Sequence, residues 1–385
     1  MDSILGEITP EQFLRDYWQK KPLLIRQALP QFSSPISADE LAGLALEAEV
    51  ESRLVRKTQK GALELQHGPF SEEQLQRLPQ SGWTLLVQAV DQFVPEVAAL
   101  LQHFSFLPRW RMDDVMISLA APGSTVGAHF DQYDVFLLQG SGKKRWQIGE
   151  KCDEDSPLLP HKDLKLLAEI NVTDEWLLEP GDMLYLPPQI AHCGISEGEE
   201  LGMTFSIGFR APSQVEVISH YSDFFAQFLP EQARYSDSQI LPCTDFSQMG
   251  ADVLPRLKAL VKPLLEDDER LLQWFGQWMT EPRYPERLFG EDGDVKSLLK
   301  RLKQGAALRQ NSSARLAWAQ VADGVLLFAS GHSRPLPARL QPLLALICQS
   351  SELSAATLGA WLIDNEAQQL LVALMEQGSL EFADE

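Results

Sequence analysis

Between Val115 and Phe209 the chain breaks into short apolar or alternating runs: Val115–Ala120, His129–Asp131, Val135–Leu138, Lys144–Ile148, Glu175–Leu178, Met183–Leu186, His192–Ile195 and Gly202–Phe209. Gly, Pro and Asp separate them. Runs of this length with this punctuation are strands of a sandwich or barrel. About eight of them in under a hundred residues leave few architectures open, and the expectation is a double-stranded β-helix.

The flanks read differently. Thr9-Pro10-Glu11-Gln12, Ser37-Ala38-Asp39-Glu40 and Ser71-Glu72-Glu73-Gln74 are helix-start signals, so the first hundred residues read mostly as helices, with a short strand at Pro22–Arg26. After Phe209-Arg210-Ala211-Pro212 another capping box, Ser213–Glu216, opens a helix to about Phe228, and further helices are expected near Val253–Leu265 and Glu269–Met279. The remainder reads as a helix (Val295–Lys303), strands at Arg315–Ala319 and Gly324–Ala329, three helices and a terminal Leu380–Phe382, an order that suggests a winged helix. The predicted class is α+β. Residues 1–211 form a jelly-roll domain (barrel about 112–210), 212–294 a helical domain and 295–385 a winged-helix-like domain.

Charge narrows the partners. The chain carries 54 acidic and 33 basic side chains, a net −21, which argues against binding a phosphate backbone. An acidic body can steer a basic partner, although acidity equally serves solubility. Residues 296–385 balance eight basic against eight acidic side chains, and Asn365–Glu376 holds no Lys or Arg. That winged helix is therefore expected to touch protein, with no direct nucleic-acid contact. No run approaches the roughly 18 apolar residues of a membrane span, and the N-terminus lacks a signal-peptide layout. Cys152, Cys193, Cys243 and Cys348 form no CxxC pair, which fits neither a zinc knuckle nor a disulfide framework. A cytoplasmic protein is expected.

The chemistry concentrates in two segments. In Gly123–Asp131 a glycine and five residues precede His129-Phe130-Asp131; in Gly181–His192 a glycine, five residues and Pro187 are followed, after four more, by His192. These are the spacings of the two cupin motifs, with Gln189 where glycine is frequent. Side chains two apart on a strand share a face, so His129 and Asp131 should enter the barrel together, joined by His192. Two imidazoles and a carboxylate on one face of a metal leave adjacent positions open, as Fe(II) oxygenases need for a bidentate cosubstrate and O₂. Cys193 should point away and pack.

Fifteen residues after His129, Lys144 follows the turn Gly140–Gly142. Alternation sends Lys144 and Trp146 inward and Arg145 outward. A cation inside the barrel needs an anionic partner, which the remote carboxylate of 2-oxoglutarate would supply. Val135, Leu137 and Met183 could line the chamber.

On these motifs, and on Phe13-Leu14…Trp18-Gln19-Lys20-Lys21-Pro22, Asp113–Ser118 and Gly208–Pro212, the chain resembles the bacterial ribosomal oxygenases. These are JmjC-type, 2-oxoglutarate-dependent hydroxylases of an arginine in large-subunit ribosomal protein sixteen. The resemblance implies Fe(II) on His129, Asp131 and His192, and 2-oxoglutarate on Lys144 and Ser118, with Ala120 where a family serine falls. It also implies substrate arginine at Asp114, Tyr133 and Ser206, and hydroxylation directed to Cβ. It further implies a homodimer through the middle helices and a winged helix that receives substrate. Alternative readings are a JmjC-type histidine hydroxylase or lysine demethylase, for which no aromatic cage is evident, and a non-catalytic metal-binding cupin.

Overall fold

The computed structural model describes residues 4–58, 61–238, 240–242, 245–291 and 293–383, so Cys243 lies outside the described residues. The chain divides into two compact units, Met1–Ala211 and Pro212–Glu385.

In the first unit the helices are α1 (Pro10–Asp16), α2 (Ala38–Leu44), α3 (Glu72–Gln76) and α4 (Pro95–Ala98). The strands are β1 (Leu23–Ile25), β2 (Ser52–Lys57), β3 (Leu63–His67), β4 (Trp83–Val87), β5 (Met112–Ala120), β6 (Val135–Ser141), β7 (Lys143–Lys151), β8 (Val172–Leu178), β9 (Met183–Leu186), β10 (Ile190–Glu197) and β11 (Gly202–Phe209). Eight of them form one sheet in the order β1-β9-β6-β11-β5-β4-β2-β3, and β10-β7-β8 form a second. Together they make the expected double-stranded β-helix. The helix starts follow from their caps: Thr9 Oγ1 accepts from Gln12 N, and Ser37–Glu40 and Ser71–Gln74 close complete capping boxes.

Three strands of the large sheet, β2, β3 and β4, lie where helices were expected. Gly61 and Gly68-Pro69 bracket Leu63–His67, which pairs with the nearby Ser52–Lys57, whereas the partner of β2 on its other side, β4, lies 27 to 35 residues on. Tertiary pairing decided them. The turn at Gly142 (φ 61°) is also not a hairpin. β6 pairs with β9 and β11, whereas β7 pairs with β8 and β10, so the chain changes sheet there.

The large sheet buries both faces. On one, Phe136, Leu138, Met183, Tyr185, Phe205 and Phe209 join Phe13 and Phe104 in the main core. On the other, Val135, Leu137, Leu184 and Leu186 face Trp146, Ile148 and Leu178 inside the barrel. Met183 is thus on the outer face, contrary to expectation, and Leu184 takes the inner one. A one-residue change of register exchanges the faces. Beneath the main core, the fully buried Asp134 accepts hydrogen bonds from Tyr185 Oη (2.7 Å), Gln19 Nε2 (3.0 Å) and Arg111 Nη2 (3.3 Å). These contacts tie the N-terminal Trp18-Gln19 segment to the start of β6.

In the second unit, α5 (Gln214–Ala226), α6 (Val253–Leu265) and α7 (Asp268–Met279) precede α8 (Val295–Lys303), β12 (Ala307–Gln310), β13 (Leu316–Val321), β14 (Gly324–Ala329), β15 (His332–Leu336), α9 (Gln341–Gln349), β16 (Leu353–Ser354), α10 (Ala355–Leu358), α11 (Asn365–Glu376) and β17 (Leu380–Phe382). Leu298 and Leu302 of α8, Leu343 and Ile347 of α9 and Leu371 and Leu374 of α11 share one core with β14, the winged-helix arrangement. Helix α7 packs on β14, where a Cβ on Gly276 would stand 2.3 Å from the Phe328 ring. No helix among the described residues is long and apolar enough to cross a membrane.

Candidate active site

The site forms where the link between β5 and β6 meets β10. His129–Asp131 is not a strand of its own, as the alternation suggested, but a single bridge: His129 N donates to His192 O (3.0 Å) and His192 N to His129 O (2.8 Å). Gly127 (φ 92°) lets the link approach, because a Cβ there would stand 2.7 Å from Leu166 Cδ2.

Both imidazoles are oriented by backbone. His129 Nδ1 lies 2.9 Å from Gly127 O and His192 Nδ1 lies 2.8 Å from Ile190 O. A carbonyl oxygen only accepts, so each Nδ1 carries the proton and each Nε2 keeps its lone pair. His192 Nε2 stands 3.6 Å from Asp131 Oδ2, and the ligand atoms of His129, Asp131 and His192 all lie within 4.8 Å of one another. Burial, and then the neighbouring His129, push the His192 pKa down to about 4, so its imidazole is neutral at ordinary pH. Two imidazole nitrogens and a carboxylate oxygen converging in this way suit a divalent transition metal.

Gln189 sits at φ 69°, its N–H donating to Asp131 O (2.7 Å) and its carbonyl accepting from Cys152 N (2.7 Å). The conformation explains why glycine is frequent here. A left-handed non-glycine residue costs about 1–2 kcal/mol, and glycine's unfolded-state entropy returns roughly 0.5–1 kcal/mol of that. Gln189→Gly should therefore stabilise the protein by about 0.5–1 kcal/mol, seen as a small rise in calorimetric Tm.

Deeper in the barrel, Lys144 and Trp146 face inward, while Arg145 faces out and pairs with Glu175 (2.9 Å) and Glu197 (2.5 Å). Lys144 is 9 % exposed; its ammonium lies 4.8 Å from the Trp146 ring centroid and 3.4 Å from Thr204 Oγ1. Among the described residues no carboxylate forms an ion pair with it, and burial lowers its pKa to about 8. Gly194 makes the room, since a Cβ there would stand 2.7 Å from Lys144 Cε. Ser118 is buried and registers opposite Thr204, so it shares that face. Ala120 registers opposite Gly202, further along β5. Cys193 packs away from the imidazoles, its Sγ 3.4 Å from Thr125 Oγ1.

At the other end of β11, Ser206 pairs in register with Leu137 and therefore faces the barrel interior. Asp114 is buried and Tyr133 is 42 % exposed. Asp114 Oδ2 accepts from Gln88 Nε2 (2.7 Å) and Ala89 N (3.0 Å). Burial, then Asp131 and Asp114, raise the Tyr133 pKa, so the phenol keeps its proton. Sequence reasoning missed Thr204, whose hydroxyl faces Lys144, as well as Gln88 and Arg53, whose Nη2 donates to Gln88 Oε1 (2.9 Å). Thr204 was accessible from the alternation Thr204-Ser206-Gly208 against Phe205-Ile207. No local signal marks the other two.

Comparison with known proteins agrees with this architecture. The sequence matches the family models of the JmjC domain over residues 99–217 and of the ROXA-like winged helix over 263–381. It is 38% identical to the Escherichia coli ribosomal protein uL16 3-hydroxylase over 376 residues, 95% of each chain. It is 34% identical to a probable ribosomal oxygenase of Haemophilus influenzae, covering 84% of this chain and 82% of that one. The solved structure of the Escherichia coli ribosomal oxygenase YcfD in complex with cobalt and 2-oxoglutarate superposes with a TM-score of 0.84, at 34% identity, over 98% of this chain and 99% of that one.

Proposed function

Because this chain belongs to the JmjC-type ribosomal oxygenases, a family dependent on Fe(II), 2-oxoglutarate and O₂, we propose that it hydroxylates an arginine side chain, at Cβ, of ribosomal protein uL16. The bound metal, cosubstrate and O₂ together supply oxidation of an unactivated C–H bond, with 2-oxoglutarate leaving as succinate and CO₂.

In this reading His129, Asp131 and His192 hold the metal, their Nε2 lone pairs aimed by the carbonyls of Gly127 and Ile190. Lys144 binds the remote carboxylate of 2-oxoglutarate, with Thr204 and Ser118 beside it. Asp114, Tyr133 and Ser206 receive the guanidinium, and the apolar Val135, Leu137 and Leu184 exclude water. The carrying observation is the pairing of a converged His/Asp/His set with a buried ammonium that lacks an ion pair among the described residues. A metal-binding barrel without oxygenase activity has no use for that cation.

The test is mass spectrometry of ribosomal proteins from cells with and without the gene. The expected result is one added oxygen on an arginine of uL16 only where the gene is present. An unmodified uL16 in both would remove the substrate assignment.

Three further parts belong to the same reading. The middle helices, within residues 212–294, form a homodimer, consistent with the exposed Leu254, Leu257, Val261 and Leu265 on α6. Leu257→Glu with Val261→Glu is expected to halve the mass in solution by light scattering. The winged helix of residues 295–385 meets protein rather than nucleic acid, and the enzyme works in the cytoplasm.

A further inference from the structure

The segment that carries His129 and Asp131 lies outside the strands, and beyond its contacts with β10 and Gln189 it is held by the connection between β7 and β8. That connection doubles back on itself: Leu158 bridges to Leu167, and Leu159 N donates to Leu166 O (2.8 Å). From there Leu167 N donates to Ala128 O (2.8 Å), and the buried Leu166 packs on Gly127. Leu63 of β3 packs on the same glycine, since a Cβ at Gly127 would stand 2.7 Å from Leu166 Cδ2 and 3.1 Å from Leu63 Cδ1. Two leucines from separate elements therefore fix the residue whose carbonyl accepts from His129 Nδ1 (2.9 Å).

His161 ties those two elements together. Its Nδ1 lies 3.1 Å from Asp163 N and 2.9 Å from Leu164 N, and both backbone groups can only donate. The ring proton consequently sits on Nε2, which donates to Leu63 O (2.9 Å). One neutral, half-buried imidazole thus shapes the turn of the β7–β8 connection and fastens that connection to β3.

We propose that His161 is a positioning residue of the metal site: by clasping the β7–β8 connection to β3 it holds the Gly127 carbonyl where it aims His129. The assignment rests on the metal-ligand reading above. His161 reaches the metal only through Gly127 and His129, so its effect should stay below the ~10–100-fold typical of a group bonded directly to a ligand.

The experiment loads wild type, His161→Ala and His161→Asn with Co(II) in the absence of oxygen. Titration calorimetry reads Co(II) affinity. Proton NMR reads the paramagnetically shifted Nδ1–H signals of the two ligating imidazoles, whose exchange with solvent reports how firmly each is held. Asparagine places Oδ1 where Nδ1 stands, so it keeps the turn at Asp163 and Leu164 but cannot reach Leu63 O. Both variants should bind Co(II) about 3–10-fold more weakly, with one of the two N–H signals exchanging faster and the other unchanged. The Tm of the metal-free protein should fall by no more than about 2–4 °C, as the loss of one exposed hydrogen bond allows. Wild-type affinity and signals in both variants would overturn the clasp and leave the metal reading standing. Wild-type behaviour in His161→Asn alone would confine His161 to its own turn and also overturn it, as would equal changes in both N–H signals, which mark general loosening. If wild type itself binds no Co(II), the metal reading fails and the clasp fails with it.

Discussion

Asp131→Ala is expected to abolish succinate formation and to weaken Mn(II) binding by more than about 100-fold. Removing a group that only supports a ligand typically costs 10–100-fold in metal affinity, so removing a ligand itself should exceed that range. The loss should be selective. Asp131 is partly exposed, and its backbone carbonyl rather than its side chain accepts from Gln189 N. The fold should therefore survive, with thermal unfolding of the metal-free variant close to wild type. His129→Ala and His192→Ala should behave alike in turnover. Equal succinate production by wild type and any of the three variants would refute the metal assignment.

Lys144→Met is expected to have opposite effects on stability and on binding. In the metal-free protein the ammonium is buried beside a hydroxyl and an indole ring, and its pKa falls from the ordinary 10.5 to about 8. A depression of that size corresponds to roughly 3 kcal/mol against the charged form. The sign follows from linkage. Below about pH 8 folded and unfolded chains both carry the proton and the penalty is fully present. Between about 8 and 10.5 the unfolded chain binds more protons, so wild-type stability rises with pH. Lys144→Met should therefore raise the Tm of the metal-free protein at pH 7, with an advantage that shrinks as pH climbs toward 10. Cosubstrate binding should move the other way. Truncating one partner of a buried charge pair costs about 2–5 kcal/mol, so KM for 2-oxoglutarate should rise at least ~30-fold. Wild-type affinity for 2-oxoglutarate should also weaken above about pH 8, measured by anaerobic titration with Mn(II). A variant with unchanged KM would show that another group binds the carboxylate.

The metal set was legible in the sequence because its signal is local twice over. His129-Phe130-Asp131 and the run from Gly181 through Pro187 to His192 each encode a turn and a direction within a dozen residues. Lys144 was legible through period two, since Arg145 between Lys144 and Trp146 is charged and finds its partners outside. The four capping signals set helix starts by the same local logic.

Where the pattern carried no polar marker, the reading failed. Met183-Leu184-Tyr185-Leu186 is apolar throughout and entirely buried, so nothing in it distinguishes the barrel face from the helix-covered face. The strands β2 and β3 pair locally and Gly68-Pro69 follows β3, but the helix-start signals on either side drew the reading toward helix, and β4 is held by partners 27 to 36 residues away. The Gly142 turn looks like a hairpin because the change of sheet depends on partners more than thirty residues away.

By itself, then, the chain's order of residues determined which donors exist, how they are spaced and that a cation travels with them, since those properties reside in side-chain chemistry and short-range geometry. Only the tertiary structure decided which nitrogen of each imidazole faces the centre and which groups hold Asp114 Oδ2. Each imidazole is turned by a carbonyl two residues before it, in a backbone shape that the folded barrel imposes, and the Asp114 carboxylate is held by groups at the end of β4 that strand pairing brings beside β5.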